Sequence, residues 1–270
     1  MTDLWKLPSC FFYSLLVTGL LLGGGARMGT AQSLDVPSAD STLQRVLSTV
    51  DSLRMAGEFQ AAFIRLSSVS QEHLQSVNVM WRTAIVWSDY GRAEPSDDLA
   101  LAAYRNALSM ADRALKADST SAWAHFCKAA AAGRAAPLVG SNKESIQLTR
   151  ATKKHADRAI ELDSTIASAY YIRGVWNKEV ADLGLFQGIA VRAHGGLPEA
   201  SFEQAVADLK QAIEKRPQTH HHLELGRTYM LMGTPEAARE QFQSTLDVPP
   251  VGPFALKDKV EARKHLDELD

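Results

Sequence analysis

From Ser38 onward apolar residues and alanines recur every three or four positions, as in Ala103, Ala107, Met110 and Ala114, or Phe202, Ala205, Leu209 and Ala212. That spacing lays one apolar stripe along a helix. No segment shows the alternation of period two that a half-buried strand requires. The pattern therefore predicts an all-α chain. Glycine and proline interrupt it at Gly57, Gly91 to Pro95, Pro137 to Ser141, Gly184 to Pro198, Pro217, Gly233 and Pro249 to Pro253.

The stripes repeat. Ala111-Asp112-Arg113-Ala114-Leu115-Lys116-Ala117-Asp118-Ser119-Thr120 returns almost unchanged as Ala156-Asp157-Arg158-Ala159-Ile160-Glu161-Leu162-Asp163-Ser164-Thr165. An echo of this kind points to stacked repeats. Near the C-terminus Leu225, Gly226, Tyr229, Gly233, Ala238, Phe242, Leu246 and Pro250 stand at the spacing of the tetratricopeptide repeat, a two-helix unit of about 34 residues. Small Gly226 and Ala238 would let two helices cross closely, with Tyr229 and Phe242 filling the space between them. Gly233 permits the turn, and Pro235 suits the first turn of the second helix.

A residue near the end of each second helix marks the series: Val69, Ala114, Ala159, Ala212 and Thr245, at intervals of 45, 45, 53 and 33 residues. The pattern predicts a tetratricopeptide-like α-solenoid of about five helical hairpins, near 40–70, 74–117, 120–163, 165–216 and 219–248. A charged helix near 255–269 would cap the open end, because each repeat buries its apolar face against its neighbours. Ser or Thr at 119–120 and 164–165 would cap the helix that follows.

The N-terminus differs from the rest. Lys6, the 12-residue run Phe11 to Leu22 and the small residues reaching Ala31 follow the order of a secretory signal. The expected organisation is a signal peptide over 1–31, a short linker over 32–39 and a repeat domain over 40–270. The run is shorter than the roughly 20 residues a spanning helix needs, although an uncleaved membrane tether is the competing reading. Export, most naturally to a periplasm, is the expected location. Loss of 1–31 would leave Cys127 as the sole cysteine, which excludes an intramolecular disulfide and reads as a buried apolar residue. A formal net charge of −2 gives no basic excess and argues against nucleic acid as a partner.

Further residues carry a resemblance. Trp81 and Trp87, Ala132-Gly133-Arg134, the helix end Ala159 to Asp163, Gly174-Val175-Trp176 with Glu179-Val180-Ala181, Gly195-Gly196-Leu197-Pro198 before Ala205, and Lys257-Asp258-Lys259 occur in this order. Together they resemble the tetratricopeptide-like domain of the regulator of microtubule dynamics family and its bacterial relatives, over about residues 40–269. His194 departs from an aromatic position of that family, and Ser119 and Ser164 replace the usual repeat-ending proline. The resemblance implies a helical scaffold that binds proteins, with membrane association in eukaryotic members, and no enzymatic activity.

The chain carries few motifs of catalytic chemistry. There is no nucleotide-binding glycine loop, His-Glu-x-x-His pair, Gly-x-Ser-x-Gly elbow or Cys-x-x-Cys. No cofactor or metal is expected. His220-His221-His222 would fan over about 200° of a helix rather than share a face, so a surface cluster at a helix start is expected in preference to a zinc site. Asp97-Asp98 and Asp267-Glu268 fit helix-start and solvated-face roles.

A binding surface is the better expectation. The first helix of each hairpin should line the concave side, where counting from Gly226 and Gly174 places Arg227, Lys178 and Tyr171. Counting from Trp123 adds Lys128, and Arg82 joins if Trp81 anchors its unit. Such a row suits an acidic peptide, a terminal carboxylate or an anionic lipid. The long connection Gly184 to Glu199, with Phe186, Ile189 and Val191, is a candidate lid. The sequence thus reads as an exported, non-catalytic protein-interaction scaffold, with a lipid or small-ligand carrier as the alternative.

Overall fold

The computed structural model describes residues 39–183, 191, 193 and 195–270. The expected signal (1–31) and most of the linker lie outside these residues, as do Phe186, Ile189 and His194. Pro37–Asp270 forms one compact unit. Among the described residues there are eleven α-helices and no strand: α1 Ala39–Met55, α2 Phe59–Ser67, α3 Val77–Ala93, α4 Asp97–Ala117, α5 Ala122–Ala135, α6 Asn142–Leu162, α7 Ala167–Ala181, α8 Phe202–Lys215, α9 Thr219–Leu231, α10 Pro235–Asp247 and α11 Ala255–Leu269. One 3₁₀ turn, Gln71–His73, follows α2.

Consecutive helices pair as five hairpins, α1/α2 to α9/α10, and each second helix also packs on the first helix of the next pair. The first helices α1, α3, α5, α7 and α9 lie beside one another in the same order. This is the α-solenoid that the unevenly spaced stripes predict.

Each hairpin after the first is pinned by a glycine in its first helix. A Cβ at Gly226 would lie 2.5 Å from the Phe242 ring, at Gly174 2.8 Å from Leu209, and at Gly91 2.7 Å from Tyr104. At Gly133 the corresponding contact, 3.3 Å from Thr152, is looser. All four partner side chains are buried, with Phe242 and Leu209 fully enclosed. The marker positions Ala114, Ala159, Ala212 and Thr245 are likewise fully buried. In the last hairpin Gly233 turns the chain at φ 69° and Pro235 sits in the first turn of α10, as their positions predict.

Two local expectations change. Thr120 and Thr165 do not cap the next helix. The Asp118 carboxylate accepts from the Thr120 N–H at 2.8 Å and its hydroxyl at 2.6 Å, and Asp163 does the same for Thr165 at 2.9 and 2.6 Å. These bonds hold both aspartates below the usual carboxylate range, the hydroxyl first. Ser121 is the cap of α5, accepting from Ala124 N–H, whereas Ile166 at the start of α7 offers no side-chain bond. The echoed segment is therefore a turn-closing device.

The C-terminal helix does more than cover the last hairpin. α11 packs on α10 and α9, but the residues leading into it reach hairpin one. Pro253 lies against Gly57, and the Phe254 ring stacks on Phe59 with centroids 6.5 Å apart. This segment joins the last and first repeats, because their apolar ends otherwise face water.

Replacing Gly226 by Ala drives a methyl into an enclosed Phe242 ring, so urea unfolding of Gly226→Ala should show a loss of about 1–3 kcal/mol. An unchanged midpoint would contradict the close crossing.

Candidate functional site

The expected row of cations is present on the first helices, but each member is already engaged. Lys178 donates to Glu224 at 2.7 Å and pairs with Glu179 at 2.9 Å. Arg227 donates to the other Glu224 oxygen at 2.6 Å and pairs with Glu261 of α11. Glu224 thus brings Lys178 and Arg227 together. Burial would raise the Glu224 carboxyl, but the two cations outweigh it and hold it low. Arg82 and Lys128 stand apart: Arg82 bonds Asp51 at 3.0 Å and lies 4.0 Å over the Trp81 ring, and Lys128 pairs with Asp112. Tyr171 does not join a cationic row. Its ring packs on His220 at 4.7 Å and His221 at 5.3 Å, and burial pushes its hydroxyl up to about 12.

A cavity of about 620 Å³ runs along α5, α6 and α7. Its apolar wall includes Ile146, Ile172, Val175, Trp176, Val180 and Leu197. Ser145, Thr149, Thr152 and Glu179 are set among these residues, and Arg92 and Arg134 stand at one side. Trp176 is fixed there because its indole N–H donates to Thr149 O at 2.8 Å. From the long connection, Val191 and Leu197 border the groove. Arg150 anchors this stretch by donating to Gly196 O at 2.8 Å from Nε.

A second cavity of about 140 Å³ shares Arg92, Ala130, Arg134, Tyr171 and Ile172 with the first. It adds Arg54, Arg216, His220, Trp81 and Trp123, and Val251 to Ala255 form part of its wall. The two tryptophan rings stack at 5.0 Å. Arg54 and Arg134 share the Asp89 carboxylate at 2.7 and 3.0 Å.

Arg92 and Arg134 are not in the expected row, yet a signal for them exists. Gly91-Arg92, Gly133-Arg134 and Gly226-Arg227 repeat one dipeptide. The glycine faces the second helix, so the next residue turns toward the row of first helices. Counting from Gly226 reaches Arg227, and the same count reaches Arg92, Arg134 and Val175. In the last hairpin Glu261 of the terminal helix occupies the arginine; in hairpins two, three and four the position lines the groove.

The histidine cluster is not a surface feature. His221 is fully buried, its Nδ1–H donating to Arg216 O at 2.9 Å, and His222 reaches Gln241 at 3.0 Å. Tyr171 of α7 packs on the rings of His220 and His221, and Thr219 at the same helix start is buried too and bonds Asp258 of α11 at 2.7 Å. The packing of α7 and α11 buries what is locally a terminus. Elsewhere His125 and His155 meet at 2.7 Å between their Nδ1 atoms, while His125 Nε2–H donates to Ser119 O at 3.1 Å. No group of three His, Cys, Asp or Glu among the described residues is arranged to hold a metal. Cys127 is fully buried, its thiol donating to Trp81 O at 3.3 Å, and burial raises its pKa far above the usual range.

These features meet a family match. The model of the regulator of microtubule dynamics protein 1-3 family matches residues 46–270. The chain belongs to this family. The groove and the arginine cavity are built almost wholly from the matched region. No curated protein matches the chain. Among solved structures, the tetratricopeptide-repeat protein TTC0263 of Thermus thermophilus aligns with 83% of this chain and 98% of its own at 16% identity, with a TM-score of 0.61. That likeness shows a shared fold. MamA of Desulfovibrio magneticus RS-1 covers 78% and 95% at 14% identity, and YrrB, titled a repeat protein with an unusual peptide-binding site, covers 84% and 98% at 13%. Their TM-scores of 0.42 and 0.41 are too low to bear on this chain.

Burial depresses the pKa of both His155 and His221 to about 4 from 6.5. The unfolded chain therefore binds more protons than the native one between these values. The stability from the neutral rings is complete above pH 6.5 and lost as pH falls toward 4, on the order of 3 kcal/mol per ring. Denaturant midpoints at pH 7, 5.5 and 4 should fall stepwise, and a flat profile would refute neutral buried histidines.

Proposed function

We propose that this protein is a non-catalytic helical-repeat scaffold that receives a segment of a partner protein in the groove along α5, α6 and α7. The observation that carries this reading is the composition of that groove: about 620 Å³ of apolar wall in which Ser145, Thr149, Thr152 and Glu179 recur among the apolar residues. An extended or helical peptide presents apolar side chains and backbone N–H and C=O groups together, and a mixed wall can satisfy both. Arg92 and Arg134 at the rim favour an acidic partner.

A second reading rests on the same wall. Its size is in the range of small-ligand pockets, so a carrier of acyl chains or similar ligands uses the same residues. The order of charged, apolar and small residues at the N-terminus supports export, with action in a periplasm. Among the described residues no helix is long and apolar enough to cross a membrane. Intact-mass measurement of the protein from cells would show loss of residues 1–31 if the signal is cleaved.

Val175 is partly exposed in the groove wall, so Val175→Asp should leave the melting temperature nearly unchanged while placing a charge where apolar groups bind. On an array of synthetic peptides with about ten residues, the wild type should retain apolar-rich members and the variant should lose them at least about tenfold. Equal retention by both would overturn the groove as the binding surface. Val175-dependent uptake of a fluorescent fatty acid with no peptide bound would decide for the carrier.

A further inference from the structure

Two tryptophans repeat with the hairpins. Trp81 stands ten residues before Gly91 and Trp123 ten before Gly133, one register in successive first helices. That register brings the rings together, 19° from parallel with centroids 5.0 Å apart. Arg82 lies over the Trp81 ring at 4.0 Å, held by both oxygens of Asp51, and Phe126 meets Trp123 at right angles. The ladder then stops. The same count from Gly174 falls on Ser164, in the turn before α7, and from Gly226 on Arg216. Trp81 is 9% exposed, whereas Trp123 is left 41% exposed.

Both rings line the 140 Å³ cavity beside the groove, with Val251 and Pro253 in the same wall. The polar part of that wall mainly donates. Arg54, Arg92, Arg134 and Arg216 face the carboxylates of Asp89 and Asp258, so positive charge exceeds negative. Both carboxylates are engaged. Asp89 is shared by Arg54 and Arg134, and Asp258 accepts from the Thr219 hydroxyl at 2.7 Å and lies 3.5 Å from Arg92. Donors are left over: the Nε–H of Arg54 is buried with no acceptor in reach, and Arg216 makes no ion pair among the described residues. Tyr171 also keeps its hydroxyl proton, because burial raises its pKa to about 12. A buried donor without a partner implies a bound group or water that supplies the acceptor.

An open stacking ring and surplus donors together set the chemistry of an occupant. It must offer an apolar ring to Trp123 and bring carbonyl acceptors. It must not bring a positive charge, which the arginines would repel, nor many N–H groups, for which free acceptors are scarce. Consecutive prolines meet each condition. Every residue has an apolar ring and a carbonyl but no N–H, and the polyproline II helix leaves all its carbonyls unbonded. An aromatic side chain would stack as well, but its backbone N–H would enter a wall with little to receive it. We infer that the cavity takes a proline-rich stretch of the partner segment, stacked on Trp123. Such a stretch continues into the groove past Arg92, Arg134 and Tyr171, which border both spaces, so the assignment rests on the groove receiving a peptide.

The test uses uncharged peptides of about ten residues in matched pairs, one with Pro-Pro-x-Pro and one with alanine at those prolines. Both ends are blocked, by acetyl and amide, so that no terminal carboxylate contributes. Binding is read from the anisotropy of a fluorophore on the peptide and from tryptophan emission. The wild type should bind the proline peptide at least about tenfold more tightly than the alanine peptide, the scale of an anchoring aromatic contact, and its tryptophan emission should change. Trp123→Ala should remove that preference. Trp123→Leu keeps apolar volume against Trp81 without the flat ring, and should remove it at a nearly unchanged melting temperature. Equal affinity for the two peptides, including none for either, would overturn the proline stretch, as would a preference that survives in Trp123→Leu. The groove would still stand if apolar peptides bound the wild type and were lost in Val175→Asp. Proline-dependent binding with no retention of apolar peptides would instead overturn the groove and keep the Trp123 site.

Discussion

The close crossing of two helices at a position without a side chain is the constraint on which this protein depends. At Gly91, Gly174 and Gly226 a Cβ would fall within 2.5–2.8 Å of an enclosed side chain, and at Gly133 within 3.3 Å. Close approach lets one large residue, such as Leu209 or Phe242, fill the whole space between the helices of its hairpin. Dispersion and apolar burial then act over a continuous dense surface. The glycine also orients the rest of its helix. With one face committed to the second helix, the following residue points toward the row of first helices, and in hairpins two to four that residue lines the groove.

A second arrangement follows from how the series ends. An open stack would leave an apolar face on its last hairpin, and α11 covers it. The approach to α11 also reaches hairpin one through Pro253 and Phe254, and Arg92 lies 4.1 Å over the Phe254 ring. The same segment supplies Asp258 and part of the wall of the arginine cavity. Residues remote in the chain therefore meet because both ends of the series have apolar surface to cover. The ion-paired line Lys178, Glu224, Arg227 and Glu261, buried at its first two members and half-buried at the last two, crosses α7, α9 and α11 within this region. Its members satisfy one another, which is why these cations are structural ties in place of a free docking row.

Much of the architecture was legible in the sequence. The uneven marker intervals, the Gly233 turn and Pro235 at the start of α10 are local or periodic signals, and propensity and patterning report them directly. The candidate site was legible only in part. Arg227 and Lys178 were reachable by counting from glycine, but the carboxylates that tie them to other helices, Glu261 and Glu224, lie 34 and 46 residues away. The same count from Gly91 and Gly133 reaches Arg92 and Arg134, but the Gly-Arg pairs are spaced as unevenly as the hairpins and form no regular motif. The threonines after Asp118 and Asp163 looked like helix caps, since a turn-closing aspartate and a capping hydroxyl share one short composition.

By itself the sequence determined that this chain is helical, that its helices pair in five unequal hairpins and that a charged helix ends the series. Each of those properties depends on residues within about two turns or one repeat of one another. Only the tertiary structure decided which charges remain unmatched. Charge balance in a cavity is a property of side chains from α1, α3, α5, α11 and the turn before α9 taken together, and no local pattern records it. Burial of Thr219 depends on the return of α11, whose Asp258 it bonds, while the His221 ring is covered by Tyr171 of α7. That return is long-range packing, and periodicity along the chain does not encode where a stack meets its own beginning.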